Sequence, residues 1–166
     1  MRRLIAAGVL VLLPACGGGS SPTAPAAPPP TTLPPRAQIT VTFTPDPVVA
    51  TPATGTDPTR PFHATYTMTI RETSGLSGNV NFWNETLENP VTGLFSGTVS
   101  FGADRVIALA GTNHLQAMGS LNIARSYDYG PGGNSGTGRG VISHVVVQVT
   151  DDKGNVINVE GTIRII

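Results

Sequence analysis

Three histidines, His63, His114 and His144, are the residues of this chain best suited to acid–base or metal chemistry. His63 and His144 fall on the outward phase of two predicted strands, where a solvated histidine needs no catalytic role. The chain contains no H-x-H or H-E-x-x-H spacing, so it offers no zinc motif. We therefore expect no metal, no cofactor and no enzymatic activity.

A glycine-rich segment, PGGNSGTGRG at residues 131–140, is the second feature that could carry chemistry. A phosphate-binding loop leads into a helix, whereas Arg139 and Gly140 lead into a predicted strand, so a phosphate site is not expected. Tyr127, Tyr129 and Arg139 flank the glycines and provide aromatic and cationic contact groups. The pattern predicts either a recognition surface at this loop or a plain connection between strands.

Trp83 is a further candidate for ligand contact. It shares the phase of Asn81 and Glu85, whereas Phe82 shares the phase of Val80, so one aromatic ring should be partly exposed unless a bulge intervenes. An exposed Trp83 would offer a stacking platform for sugar rings. The other interpretation is a core tryptophan between two sheets.

A cluster of calcium-type ligands occurs in DDKGN, at Asp151, Asp152 and Asn155. The spacing of an EF-hand, with glycine at position six and glutamate at position twelve, is absent. Gly154 can adopt the positive φ that a hairpin loop requires, and Asp and Asn stabilise such turns through local hydrogen bonds. Turn chemistry therefore explains these residues without a metal.

The only cysteine, Cys16, follows a cationic start at Arg2 and Arg3 and ten residues without a polar side chain, residues 4–13. This order predicts an export signal, and the apolar run is too short to span a bilayer. LPAC at residues 13–16 resembles the lipobox of bacterial lipoproteins. The resemblance implies cleavage before Cys16, a diacylglycerol on its sulfur and, with Gly17 rather than aspartate next, sorting to the outer membrane.

The chain is then expected to divide into three parts: a signal peptide at residues 1–15, a lipidated cysteine and linker at 16–36, and one domain at 37–166. The linker, rich in Gly, Ser and Pro, cannot bury enough apolar surface to fold, so we expect a disordered tether. Without Arg2 and Arg3, eight basic residues face ten acidic ones. That net charge, near −2, argues against a nucleic-acid partner.

The sequence predicts that the domain at residues 37–166 is all-β, with about seven strands. Alternation of apolar and polar residues predicts strands at 39–44, 62–71, 80–87, 119–129, 141–150 and 156–165. Residues 95–101 and 105–109 are weaker candidates, and the second of these could instead form a short helical turn. Leu121 and Ile123 are expected to face inward. Short strands separated by frequent turns favour an antiparallel β-sandwich.

A strand bearing a tryptophan and the terminal hairpin VVVQVTDDKGNVINVEGTIRI resemble bacterial immunoglobulin-like domains of the PKD kind. The resemblance covers most of residues 39–166 and implies an immunoglobulin-like sandwich, a fold that carries no specific function by necessity. We therefore expect a non-enzymatic, lipid-anchored envelope protein that is structural or binds a protein or glycan. The alternative is a small envelope enzyme or metal-dependent module using His63, His144 and nearby carboxylates.

Overall fold

The computed structural model describes residues 35–130 and 140–166, so Cys16 and Arg139 lie outside the described residues. Within those ranges the chain forms nine strands and one helix. In order they are β1 (Ile39–Thr44), β2 (Thr51–Pro52), β3 (Phe62–Glu72), β4 (Gly78–Glu88), β5 (Val99–Gly102), α1 (Ala103–Ala110), β6 (His114–Leu115), β7 (Ser120–Tyr129), β8 (Val141–Asp151) and β9 (Val156–Ile165).

The strands form two antiparallel sheets. In the first, β3 is central, with β1 and β2 on one side and β7 on the other. In the second, the order is β5, β4, β8 and β9. The short strand β6 pairs with the same edge of β4 as β5, but with different residues. Inward residues of both sheets form one apolar cluster, because alternate residues of a strand point to the same face. The predicted all-β character is confirmed.

A bulge in β4 decides which residues of that strand face inward. The register with β8 shifts between Val80 and Phe82, so Asn81 is the extra residue. Val80 and Trp83 are consequently both fully buried, although they lie three positions apart. The sequence allowed Trp83 to be either an exposed ring or a core residue, and this bulge decides between the two. The residue is a core tryptophan, so it does not present the exposed ring that a stacking platform for sugars requires.

The segment between β4 and β6 departs most from the predicted strands. Of residues 95–101 only 99–101 belong to a named strand, the four-residue β5, and the weak strand candidate at 105–109 is part of α1, the helical alternative. Val106 is the buried residue of this helix. Gly111, at φ 81°, ends it in the left-handed conformation that glycine adopts without strain.

The two sides of the sandwich are closed differently. On one side β1 lies against β9 so closely that a Cβ at Gly161 would come within 2.9 Å of the Phe43 ring. Val48 also pairs in parallel with Ile165, next to β9 in the second sheet. On the other side the helix α1 packs against β4, β5 and β7. This helix covers only part of the gap between the two sheets.

The strand registers also define two ends. The end that holds Pro35 is called the proximal end and contains Glu72, Gly78 and Asp151. The other, the distal end, contains Phe62 paired with Tyr129, Glu88 paired with Ile142, and Val141 paired with Ile165. Because β3 has 11 residues, the two ends are separated by about 33 Å.

Candidate functional site

An ion pair lies between the two sheets, in the distal half of the domain. Glu85 on β4 and Arg125 on β7 both occupy inward positions, Arg125 in phase with the buried Leu121 and Ile123, which face inward as predicted. The Nη2 atom of Arg125 donates to Oε2 of Glu85 at 2.5 Å, and the two side chains are 8% and 6% exposed. Burying two charges is costly unless further hydrogen bonds satisfy them.

Two hydroxyl groups complete the bonding of Glu85. Tyr66 on β3 donates to Oε1 at 2.8 Å, and Ser143 on β8 donates to the same atom at 3.0 Å. Burial, followed by the neighbouring Glu85 charge, raises the pKa of Tyr66, so its phenol stays protonated and able to donate. The carboxylate therefore joins four strands from the two sheets.

Aromatic rings surround the guanidinium of Arg125. Its central carbon lies 4.5 Å from the ring centre of Phe101, 5.2 Å from that of Tyr127 and 5.5 Å from that of Trp83. Trp83 and Phe101 are themselves stacked, with centroids 4.5 Å apart. Burial lowers the pKa of Arg125, but the Glu85 charge and hydrogen bond outweigh that effect and raise it. The cation is held by ring faces and by one carboxylate.

Three buried donors of this cluster have no hydrogen-bond partner among the described residues: Nε of Arg125, the hydroxyl of Tyr127 and Nε1 of Trp83. Buried polar groups in folded proteins are nearly always paired, so each exception calls for an explanation. Burial, with the Glu85 charge next, raises the pKa of Tyr127 and keeps its hydroxyl protonated. Two of these donors, on Arg125 and Tyr127, belong to residues that line a cleft.

The cleft has a volume of about 410 Å³ and opens between β4–β5 of one sheet and β7 of the other. Ligand pockets commonly occupy about 300–1,000 Å³. Its apolar lining comes from Leu87, Val99, Phe101, Tyr127 and Tyr129. This cleft occupies part of the side of the sandwich that α1 leaves uncovered.

Exposed apolar residues lie on the connection from β4 to β5 and at the start of β5. Val91 is 89% exposed, Phe95 60%, Val99 53% and Leu94 51%. The connection begins at the distal end and is stabilised where the side chain of Asn89 accepts from the backbone of Val91. Of these four residues Val99 lines the cleft, whereas the Phe95 ring contacts His144 on the outer face of the second sheet.

The structure brings together two of the predicted recognition residues. The rings of Tyr127 and Tyr129 lie 6.2 Å apart and both residues line the cleft, although only Tyr127 is partly exposed. Trp83 does not line the cleft, but its ring stacks on that of Phe101, which does. Glu85 and Arg125 were missed by the sequence analysis, although the inward phase of a charged residue in an apolar strand was a signal for both.

A second polar cluster lies on the outer face of the first sheet. Nδ1 of His63 is 2.6 Å from Oδ1 of Asp128, its partner across β3 and β7. Nε2 of His63 is 3.1 Å from the hydroxyls of both Ser126 and Thr65. Carboxylate, imidazole and hydroxyl in this order have the connectivity of a hydrolytic triad. The outward phase predicted for His63 is confirmed by its partial exposure.

The other histidines belong to separate clusters. Nε2 of His144, on β8 of the second sheet, is 2.6 Å from Oε2 of Glu88, and its ring lies 5.5 Å from that of Phe95. His114 is 3.3 Å from the side chain of Asn79. The structure therefore places His63 and His144 on different sheets. No group of three or more His, Cys, Asp or Glu side chains able to hold a metal occurs in residues 35–130 and 140–166.

The DDKGN turn uses its first aspartate internally. Asp151 accepts from the backbone of Ala37, Lys153 and Asn155, and from the Asn155 side chain. Burial opposes ionisation, but these hydrogen bonds outweigh it and lower the pKa of Asp151 to about 2. Turn chemistry thus accounts for Asp151 and Asn155.

No protein-family model matches this chain, and no curated protein matches it. Solved structures similar to it include an X-ray structure of a Northeast Structural Genomics Consortium target, SoR45, with a TM-score of 0.51, 11% identity, and coverage of 78% of this chain and 84% of that one. A second is the Bordetella pertussis protein assigned as ApaA, with a TM-score of 0.55, 14% identity, and coverage of 76% and 93%. At these identities the likeness shows the fold alone. Within the described part of this chain no helix is long and apolar enough to cross a membrane.

Proposed function

We propose that this chain is a non-enzymatic, lipid-anchored protein of the bacterial cell envelope whose domain binds a ligand in the cleft beside Tyr127 and Arg125. The observation that carries the proposal is the location of the cleft. It lies in the distal half of the sandwich, with buried unpaired donors in its lining, whereas the chain enters the domain at the proximal end. The proposed tether would therefore join the domain at the end opposite to the cleft.

The anchor rests on the lipobox at residues 13–16 and on Cys16 as the single cysteine. Two acyl chains hold a protein stably at a membrane, whereas one holds it reversibly. Gly17 after the cysteine favours the outer membrane. Intact mass of the protein extracted from bacterial membranes tests this step. We expect a chain that begins at Cys16 and carries acyl groups; an unmodified Cys16 would contradict the anchor.

The proposed immunoglobulin-like identity is supported by the order of the strands. In an immunoglobulin sandwich the first, second and fifth strands share one sheet, and the third, sixth and seventh share the other. Here β1, β3 and β7 form one sheet, while β4, β8 and β9 form the other, with β5 beside β4. Loops at the ends of such sandwiches commonly bind partners, which is consistent with a distal recognition surface.

Capture from an envelope extract with a matched pair of variants tests the binding role. Val99→Arg places a charge at the mouth of the cleft, and Val156→Arg places one at an equally exposed strand position of the proximal end, since the two valines are 53% and 54% exposed. We expect the wild type and Val156→Arg to retain the same component and Val99→Arg to lose it. Equal loss by both variants, or no saturable component, would contradict the proposal.

A second candidate function, from a different class, is hydrolysis by the cluster of Asp128, His63 and Ser126. The distances of 2.6 and 3.1 Å favour it. In this reaction the oxygen of Ser126 attacks an ester carbonyl, and His63 transfers its proton to the leaving alcohol. Thr65 competes for the same imidazole nitrogen, and the cross-strand pairs explain the contacts without catalysis. Turnover of p-nitrophenyl acetate that Ser126→Ala abolishes and Thr65→Ala retains would support the enzyme; equal rates would exclude it.

A further inference from the structure

We propose that the cleft binds an extended, uncharged and apolar segment of a partner polypeptide, rather than an anion or a sugar. This inference rests on the binding role proposed above and specifies the chemistry of the ligand. Four features of the described residues carry it: the charge balance of the cleft, its scarcity of available hydrogen-bonding side chains, its apolar lining and the unpaired edge of β5.

The charge balance argues against an anionic ligand. Arg125 is the buried cation of the cleft, and its charge is neutralised by Glu85 at 2.5 Å. Arg60, at the margin, is 63% exposed and lies 3.7 Å from Asp57, while Asp128 is paired with His63. An anion entering the cleft would lose its hydration and meet a carboxylate close to the only buried guanidinium of the lining, so neutral ligands are favoured.

The scarcity of available hydrogen-bonding side chains argues against a sugar, whose many hydroxyls need several polar partners. The hydroxyl of Ser96 already accepts from the backbone of Leu87 and donates to that of Gly97. Glu85 already accepts from Arg125, Tyr66 and Ser143. Nε of Arg125 and the hydroxyl of Tyr127 are buried atoms that a ligand in the cleft does not reach. An apolar peptide needs fewer side-chain partners, because its backbone can pair with the edge of a strand.

The apolar lining matches the side chains of such a segment. Val99 is more than half exposed and lines the cleft together with Leu87 and Phe101. Peptide and protein interfaces bury aliphatic and aromatic groups at their centre. The cleft volume, about 410 Å³, accommodates an aromatic or branched aliphatic side chain and its backbone.

The edge of β5 provides the direction in which the segment would run. Among the described strands, β5 pairs with β4 alone, so its other edge is free to pair. Addition of an extended peptide to a sheet edge is a common recognition mode, in which backbone bonds give affinity and pockets for alternate side chains give specificity. A strand added beside β5 would pass over the gap between the two sheets, where the cleft opens.

Pools of blocked hexapeptides test this inference directly with the purified full chain. One pool has Phe, Leu or Tyr at its two central positions and the other has Glu or Lys, with acetylated and amidated termini throughout. We expect the apolar pool to be retained, about tenfold less by Val99→Arg and unchanged by Val156→Arg.

Other results would overturn the inference. These are retention of the charged pool alone, retention of neither pool, or competition for the cleft by chito-oligosaccharides but not by peptides. The outcome is separable from that of the proposed function. If the envelope component is lost with Val99→Arg but no peptide pool is retained, the cleft binds a ligand and only the peptide assignment fails.

Discussion

The two ends of the sandwich each bury carboxylates, and they use them in opposite ways. At the proximal end, Glu72 and Asp151 accept mainly from backbone N–H groups, both of their own turns and of the segments at Ala37 and Met118. Toward the distal end, Glu85 is bound by side chains from three other strands, next to a cleft with unpaired donors. Both kinds of carboxylate are fully bonded, but the network around Glu85 also contains buried donors without a partner among the described residues, and such exceptions call for an explanation.

Replacement of Glu85 by alanine should have the largest effect. It leaves Arg125 buried without its counter-charge and leaves the Tyr66 and Ser143 hydroxyls without their acceptor, so we expect a loss of about 3–5 kcal/mol in unfolding free energy. Urea denaturation followed by fluorescence of Trp83 measures it. The double replacement Glu85→Met with Arg125→Met should recover much of the loss. A cost below about 1 kcal/mol for Glu85→Ala would show that the pair is not buried in solution.

Acid should weaken the proximal end first. Burial raises the pKa of Glu72, but hydrogen bonds from Ser74, Met118 and Gly75 outweigh this effect and lower the pKa from 4.5 to about 2. The pKa of Asp151 is lowered from 3.8 to about 2 in the same way. Above about pH 5 both groups are ionised in folded and unfolded chains and their stabilisation is complete. As the pH falls toward 2 the unfolded chain binds protons first, so the stabilisation is lost, by about 2–3 kcal/mol for Glu72.

Unfolding free energies measured between pH 6 and pH 2 test this dependence. Glu72→Gln, which cannot titrate, should be less stable than the wild type at pH 6 and should show a shallower slope. Glu160→Gln, at an exposed position of β9, is the matched control and should follow the wild type. Identical slopes for all three proteins would mean that Glu72 is not held by these hydrogen bonds.

Two tyrosine variants compare a hydrogen-bonded hydroxyl of the distal half with one that has no partner among the described residues. Tyr66→Phe removes a hydrogen bond to the Glu85 carboxylate and should cost about 1.5–3 kcal/mol. Tyr127→Phe removes a hydroxyl with no partner among the described residues, so stability should change by less than about 0.5 kcal/mol. Thermal and urea unfolding of both variants compare them. If Tyr127→Phe costs as much as Tyr66→Phe, the Tyr127 hydroxyl is hydrogen-bonded within the domain.

Strand positions were predictable from the sequence because alternation is a local property. The pattern in residues 62–71 and the paired Val/Ile runs around Gly154 specify β3, β8 and β9 closely. The bulge at Asn81 was not predictable, since the sequence fits either phase until the register with β8 is known. Residues 105–109, which lie in α1, were ambiguous because so short an apolar run fits a strand or a helix.

The site was harder to predict, for a reason of distance along the chain. Glu85 and Arg125 are 40 residues apart, and alternation indicates that each faces inward without indicating which partner it meets. The cleft depends in addition on the connection from β4 to β5, whose exposed apolar residues carry no period. Tyr127 and Tyr129 were identified through the adjacent glycines, and their place in the cleft follows only from the pairing of β7 with β3.

The most direct test of the account is a map of amide chemical shifts in the 15N-labelled chain as it is titrated with the envelope component that it captures. If the cleft is the binding site, the shifts should be concentrated at the distal end, in residues 85–101 and 125–130, with little change around residues 72–75 and 151–155. Shifts centred on the proximal turns, with the cleft unaffected, would contradict the assignment of binding to one end and of structure to the other.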